Sequence, residues 1–150
     1  MSLGLALGIA AAAPPPCRLP DERAAYVLTM SPGGTLPSTF GHTALLLWDP
    51  RQRGASSVYD HGHFDGRDPR FAIDYALQRA DYWSARRPLR RVRQVYHHRD
   101  SPVLARRVYL DPDQLDALER EQQAAAAEDE RFRYHWYANN CTTRIRDAVD

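Results

Sequence analysis

The feature that most constrains the fold of this chain is a change of hydrophobic period at Cys141. Residues 134–138 are aromatic and strand-like, whereas the apolar residues downstream recur at the i, i+3, i+4 spacing of an amphipathic helix: Ile145, Ala148 and Val149. Asn139 or Asn140 can cap such a helix by accepting a hydrogen bond from a free backbone N–H. The sequence therefore predicts a strand followed by a helix that carries Cys141 in its first turn.

The predicted position of Cys141 suits a nucleophile. The positive end of a helix dipole lowers the pKa of a thiol at the helix N-terminus and so favours the thiolate. Because the thiolate is the nucleophilic form, Cys141 is a candidate catalytic residue. A buried structural cysteine is the alternative, since free cysteine is among the most buried residue types.

A cysteine nucleophile needs a base, and His42 is the candidate. Residues 43–48 form an apolar run, which predicts a buried strand with His42 at its start. Residues 58–64 predict a second strand that pairs with the first as a hairpin. Such a hairpin would bring Asp60 or His61 beside His42, where either side chain could orient the imidazole as the third member of a triad does.

These motifs resemble the Lnb N-terminal periplasmic domain family. The resemblance spans about residues 26–150 in the same motif order, and three stretches carry it: Gly41-His42-Thr43, Val58-Tyr59-Asp60-His61-Gly62-His63-Phe64 and Asn140-Cys141-Thr142-Thr143-Arg144-Ile145-Arg146-Asp147. That family is similar to the circularly permuted papain-like enzymes, with NlpC-type peptidases and lecithin:retinol acyltransferase as wider relatives. The resemblance implies an α+β fold in which a small antiparallel sheet packs on the helix that bears the nucleophilic cysteine.

The resemblance also implies roles for single residues. Cys141 would be the nucleophile, His42 the base and Asp60 the third catalytic residue. Two histidines beside Asp60, His61 and His63, fit orienting or substrate-contacting roles. In acyl transfer the backbone N–H of the cysteine and a second donor would hold the oxyanion, and Asn140 is a candidate for that donor beside its capping role.

The activity that the resemblance implies is thiol-dependent acyl transfer, with a phospholipid as acyl donor and a lipoprotein amino terminus as acceptor. Two alternatives stay open at this point. One is a papain-like cysteine peptidase or amidase that acts on cell-wall peptide, and the other is a non-catalytic binding domain of the same fold. No cofactor is expected, and no metal site either, because the six histidines form no His-Glu-x-x-His motif and there is no paired-cysteine motif.

Residues 86–107 form a basic region that contains eight arginines and a single acid, Asp100. Tyr96 and residues 108–110 predict two strands in this region, with alternating arginines facing solvent. A functional interpretation is that these arginines attract the domain to an anionic membrane surface. Nucleic acid is not an expected partner, because the net charge of the chain is only +1 and the aromatic residues form no stacking motif.

Three further elements are predicted. Residues 24–30 form a strand, and residues 70–80 form a helix. Asp111-Pro112 begins another helix, with Gln114 placed to complete a capping box and with two leucines facing the core, Leu115 and Leu118. This helix is expected to end in solvent at residues 128–130.

Residues 1–25 predict an export segment followed by a proline-rich linker. The apolar residues 1–13 end in three alanines that fit a signal cleavage site, and Cys17 follows three prolines. Residues 26–150 then predict a single domain in the periplasm or cell envelope. Only nine residues follow Cys141, so we expect the chain to be a piece of a longer protein whose continuation completes the last helix.

Overall fold

The computed structural model describes residues 19–34, 38–127 and 131–150. Within these residues the chain is an α+β domain with six strands and four helices. The strands are β1 (Ala24–Met30), β2 (His42–Trp48), β3 (Ser57–His63), β4 (Asp81–Pro88), β5 (Val103–Val108) and β6 (Arg131–Arg133). The helices are α1 (Phe71–Ala76), α2 (Leu89–His98), α3 (Pro112–Ala127) and α4 (Cys141–Val149). The predicted export segment, Cys17 and the predicted helix end at residues 128–130 lie outside the described residues.

The strands form one antiparallel sheet in the order β5-β1-β2-β3-β4-β6. The predicted hairpin between β2 and β3 is confirmed, with Leu45 opposite Tyr59 and Leu46 opposite Val58. In a strand successive side chains point to opposite faces, so an apolar run such as residues 43–48 needs cover on both sides. The sheet has that cover, because helices pack on each face.

One face of the sheet packs against α2. Leu89 and Val92 of α2 join apolar side chains of β1, β2 and β3 in a buried cluster: Ala24, Tyr26, Leu28, Met30, Ala44, Leu46, Trp48 and Val58. Leu89 and Val92 are three residues apart, which is the helical spacing that brings side chains onto one face. Helix α2 is thereby fixed along the sheet beside the end of β4.

The opposite face packs against α3 and α4. Leu115 and Leu118 of α3 and Ile145 of α4 are buried with the alternate side chains of the central strands: Ala25, Leu45, Leu47 and Tyr59. The predicted capping box is confirmed, because Asp111 and Gln114 exchange backbone-to-side-chain hydrogen bonds of 2.9 and 2.8 Å. Ile145 is only 2% exposed, and burying a side chain of this size contributes about 1.5–3 kcal/mol to the docking of α4.

The strand predicted around Tyr96 is wrong, because Tyr96 lies in α2. Leu89, Val92 and Tyr96 recur at helical spacing and pack together on the sheet. A helix buries all three side chains on one face, which a strand over the same residues would not do. The strand expected near residues 108–110 exists as β5, but it begins earlier, at Val103.

Two other predictions need correction. The aromatic residues 134–138 form a turn with an isolated bridge between His135 and Asn139, and the strand nearby is the shorter β6. The helix predicted over residues 70–80 is confined to α1, because Gln78 adopts a left-handed conformation with φ of 57°. No helix in the described part of the chain is both long enough and apolar enough to cross a bilayer.

Candidate active site

Helix α4 begins at Cys141 because Asn140 caps it. The side-chain oxygen of Asn140 accepts hydrogen bonds from the backbone N–H groups of Thr142 and Thr143, at 2.9 and 3.0 Å. The Thr143 hydroxyl completes a capping box by accepting from the Asn140 N–H at 2.8 Å. The Asn140 amide also donates to the Trp136 carbonyl at 2.8 Å. Asn140 thus ties the preceding turn to the helix and sets the position of Cys141.

His42 is the first residue of β2, and its imidazole meets the carboxylate of Asp60 on β3. Nε2 of His42 lies 2.8 Å from Oδ1 of Asp60, and the same oxygen accepts from the backbone N–H of Gly62 at 2.8 Å. The register of β3 against β4 shifts between Asp60 and His63, which marks a bulge at this point. A Cβ atom on Gly62 would lie only 2.5 Å from Cε1 of His42, so the imidazole can occupy this position only beside a glycine.

The thiol of Cys141 meets His42 where α4 packs against the start of β2. The thiol and the imidazole lie close enough for each to shift the pKa of the other, and the sulfur lies 4.0 Å from the Thr142 hydroxyl. Since Nε2 of His42 faces Asp60, the nitrogen left for the thiol is Nδ1. The hydroxyls of Thr43 and Thr142 form a further bond of 3.0 Å between β2 and α4. Cys141 itself is half-buried.

The three side chains are electrostatically coupled. Burial raises the pKa of the Cys141 thiol, but the hydrogen bond and positive charge of His42 outweigh burial and lower it overall. Burial likewise opposes protonation of His42, yet hydrogen bonds to Asp60 and Cys141 raise the pKa of His42 to about 10. Burial disfavours the Asp60 carboxylate, but His42 and His63 hold the pKa of Asp60 well below its usual range. These directions favour a thiolate, an imidazolium and a carboxylate in contact at neutral pH.

A second histidine extends this arrangement. Nη2 of Arg87 donates to Nδ1 of His63 across 3.1 Å, because a guanidinium can only donate. The proton of a neutral His63 is therefore on Nε2, which faces Oδ2 of Asp60 at 3.4 Å. Arg87, His63, Asp60 and His42 form a continuous chain of contacts that ends at Cys141.

Comparison with protein families identifies the chain. The family model of the Lnb N-terminal periplasmic domain matches residues 19–150. The chain belongs to this family. The Lnb domain is accordingly exported and periplasmic, as the sequence predicted. Comparisons with curated proteins and with solved structures gave no match.

In this Lnb domain, the ring nitrogens of His61 bond to residues other than His42. His61 is 3% exposed, and its ring lies between the Ser84 hydroxyl at 2.7 Å and the Gln122 side-chain oxygen at 2.9 Å. Burial lowers the pKa of His61, which is therefore neutral and fastens β3 to β4 and α3. Residues two apart in a regular strand share a face, but the bulge separates these two histidines, so that His61 faces α3 and His63 contacts Arg87.

A recess of about 360 Å³ opens beside His42 and Asp60. We call it the basic recess, after the residues that form much of its wall: His63, Arg87, Tyr96 and Arg99. Neither here nor elsewhere in the described residues is a group of three or more His, Cys, Asp or Glu side chains arranged to hold a metal ion.

Sequence reasoning missed two contributors to the site of this Lnb domain. Gly62 stands between two histidines, and a glycine within a strand pattern is a signal of close approach that could have been used. Arg87 gives no such signal, because it is one of many arginines in the basic region. Its contact with His63 depends on the pairing of β3 with β4, a strand that the sequence pattern did not predict.

Proposed function

We propose that this Lnb domain transfers acyl groups through a thioester on Cys141, with His42 as the base and Asp60 as the residue that orients His42. One observation carries the proposal: a thiol at a capped helix N-terminus interacts with an imidazole that a carboxylate holds at 2.8 Å. A nucleophile, a base and a group that orients the base are the three parts of a catalytic triad.

The proposed architecture is that of a circularly permuted papain-like, NlpC-type enzyme. Two features of the chain support this assignment. The strand that carries His42 precedes the helix that carries Cys141 in sequence, and that helix packs against the same strand.

In the first half of the reaction, the Cys141 thiolate attacks the ester carbonyl of the acyl donor. The resulting tetrahedral oxyanion accepts a hydrogen bond from the backbone N–H of Cys141, which has no partner within the helix because it belongs to the first turn. The intermediate expels the alcohol oxygen, which takes a proton from the His42 imidazolium. The products are an acyl thioester on Cys141 and a neutral His42.

In the second half, an amino group of the acceptor attacks the thioester carbonyl and forms an amide. His42 takes the proton that the attacking amine loses, and the thiolate leaves. The site returns to the thiolate and imidazolium pair. Asn140 is expected to act through the helix cap, because both ends of its side-chain amide already have partners: Thr142, Thr143 and Trp136.

For the substrates, we propose a phospholipid as acyl donor and the amino terminus of a lipoprotein, or of a peptide, as acceptor. Membership of a periplasmic family supports this choice, because both molecules occur in the cell envelope. The arginines of α2 and β5 support contact with an anionic membrane surface, because they are exposed: Arg90, Arg91, Arg93 and Arg106.

The test is to incubate the protein with phospholipid labelled in its acyl chains and, separately, with peptidoglycan fragments. We expect acyl label on Cys141, removable by hydroxylamine, and its transfer to an amino-terminal peptide. Cys141→Ala should abolish the label, whereas Cys17→Ser is the matched control because it removes the other cysteine of the chain. Cleavage of peptidoglycan peptide with no acyl label on Cys141 would refute the acyltransferase and favour a peptidase.

A second measurement separates an enzyme from a non-catalytic domain of the same fold. The rate of alkylation of Cys141 by iodoacetamide is recorded against pH. An activated nucleophile should react well below the pH at which a free thiol with a pKa of about 8.5 does. Reaction only near that value, or only after unfolding, contradicts an activated Cys141.

A further inference from the structure

The basic recess lies beside the imidazole that meets the thiol, and Asp60 forms part of its wall. Nε2 of His42 lies 2.8 Å from Asp60, which leaves Nδ1 as the ring nitrogen available to the thiol of Cys141. The His42 ring therefore lies between the carboxylate in the recess and the sulfur of Cys141. Cys141 does not itself line the recess, and His42 is the residue that connects the recess to the proposed nucleophile.

The recess has an excess of positive charge. Among the described residues, neither Arg87 nor Arg99 has a carboxylate within salt-bridge distance, in contrast to Arg23 and Arg107, whose guanidinium groups lie 2.7 and 2.6 Å from carboxylates. Asp60 is the one carboxylate among the described residues that line the recess, and its charge is offset by His42. Two guanidinium groups are thus left facing a cavity without a counter-ion from the described part of the chain.

The geometry of these groups suits a phosphate. A guanidinium presents five N–H donors in a planar fork that matches phosphate oxygens, and Arg87 uses only Nη2 to bind His63. Tyr96 lines the same recess, and Cζ of Arg99 lies 5.8 Å from the centre of the Tyr96 ring. A capacity of about 360 Å³ holds a phosphate together with part of the molecule that bears it.

A second, smaller cavity of about 70 Å³ shares part of its lining with the recess. Four residues line both cavities, namely Asp60, Arg87, Tyr96 and Arg99, and the other residues that line the smaller one are apolar: Met30, Ala44, Val58, Val92 and Val95. Charged groups next to an apolar lining suit an amphiphilic ligand better than a bare ion.

We propose that the basic recess binds the phosphate group of the acyl donor through Arg87 and Arg99, so that an ester carbonyl of the same molecule lies at Cys141. This inference rests on the proposed function, which supplies a phospholipid as the donor. In a glycerophospholipid only the glycerol backbone separates the phosphate from the ester carbonyls. The recess is therefore the subsite that selects a phosphate-bearing donor over an uncharged one.

The first test measures binding without any acyl transfer. Glycerol 3-phosphate and inorganic phosphate are titrated into the full chain by calorimetry at constant pH and ionic strength, with glycerol as the uncharged probe. We expect both phosphates to bind and glycerol not to. Arg99→Gln should weaken binding at least about tenfold, the loss that one charge-assisted hydrogen bond predicts. Arg91→Gln, an exposed arginine of α2 outside the recess, should change it little.

Arg99 is exposed, so its replacement removes no core packing. Arg99→Lys keeps the charge without the planar fork, and we expect an intermediate affinity. Equal weakening by Arg91→Gln and Arg99→Gln would show general attraction to the arginine-rich surface and overturn the proposal. The proposal would also be overturned if neither glycerol 3-phosphate nor inorganic phosphate bound at a concentration of about 10 mM, because even weak ligands bind in the millimolar range.

The second test compares acyl donors. Formation of acyl-Cys141 is followed by intact-protein mass spectrometry with short-chain phosphatidylglycerol and with diacylglycerol of the same chains. Arg99→Gln should slow acylation by the phospholipid about tenfold and leave acylation by diacylglycerol unchanged. Inhibition by glycerol 3-phosphate assigns the recess to the lipid headgroup. Tight binding of inorganic phosphate that does not inhibit acylation assigns it instead to free phosphate and overturns the headgroup assignment.

The two proposals fail in different ways. A protein that binds glycerol 3-phosphate through Arg99 but never forms acyl-Cys141 refutes the acyltransferase and retains the phosphate site. A protein that is acylated at the same rate by both donors, with and without Arg99→Gln, retains the acyltransferase and refutes the phosphate site.

Discussion

Replacing Asp60 with asparagine tests whether the charge of this carboxylate, and not only its shape, organises the site. Oδ1 of Asp60 faces the Gly62 N–H and Nε2 of His42, both at 2.8 Å, and Oδ2 faces Nε2 of His63 at 3.4 Å. Because all three neighbours are donors, the NH₂ group of asparagine opposes a donor in either orientation. One such conflict costs about 1–3 kcal/mol.

Asp60→Asn should also lower the pKa of His42 from about 10 toward its ordinary value of 6.5. The difference between these two pKa values corresponds to about 5 kcal/mol in favour of the imidazolium. Asp60 and Cys141 stabilise the imidazolium by this net amount, although burial opposes it. With less imidazolium at neutral pH, less of Cys141 is thiolate. We expect acyl transfer to slow by about 100-fold, the lower end of what a well-placed general base contributes.

Two measurements check this expectation. The titration of His42 is followed by NMR in the wild type and in Asp60→Asn, and the alkylation of Cys141 by iodoacetamide is recorded against pH. The pH at which the thiol becomes reactive should rise in the variant, while Cys141 stays alkylatable in alkaline solution. His61→Ala is the neighbouring control. An unchanged His42 pKa in Asp60→Asn, or a loss of turnover on His61→Ala alone, would refute the assignment.

Three further outcomes are expected. Gly62→Ala should cut acyl transfer sharply by displacing His42, whose Cε1 would lie 2.5 Å from the new methyl group, and a steady-state assay with thermal melting separates this loss from unfolding. Asn140→Ala should lower the free energy of unfolding by about 1–2 kcal/mol in urea titrations, because the cap of α4 is lost. Burial lowers the pKa of His61 below its ordinary value of 6.5, so the buried neutral ring contributes its full stability only above pH 6.5. That contribution declines as the pH falls, because the unfolded chain takes up a proton more readily than the folded one. The difference in unfolding free energy between wild type and His61→Gln should therefore shrink in acid, and a constant difference would count against a neutral buried imidazole.

Local signals in the sequence were sufficient for much of the framework. The cap of α4 depends on Asn140 and on residues within three positions of it, and the capping box of α3 depends only on Asp111 and Gln114. The β2–β3 hairpin follows from two apolar segments joined by a short polar loop. These features depend on neighbours along the chain, so residue type and spacing carry the information. The same local signals are enough to predict Cys141 at a helix start and His42 at a strand start.

The tertiary structure decided which side chains meet. Strand β4 and helix α2 were not predicted, and Arg87 reaches His63 only because β3 pairs with β4. The choice between Asp60 and His61 as the neighbour of His42 likewise depended on the pairing of β2 with β3, because successive side chains point to opposite faces and only His61 faces α3.

A shift of one residue reverses the face to which every following side chain points, and composition does not encode where such a shift occurs. Residue type and local spacing therefore account for the chemical groups and for the elements that carry them. The pairing of distant strands determined that a thiol, an imidazole and a carboxylate share one end of the sheet with the two guanidinium groups of the basic recess, because only packing across the sheet brings together residues so far apart in the chain.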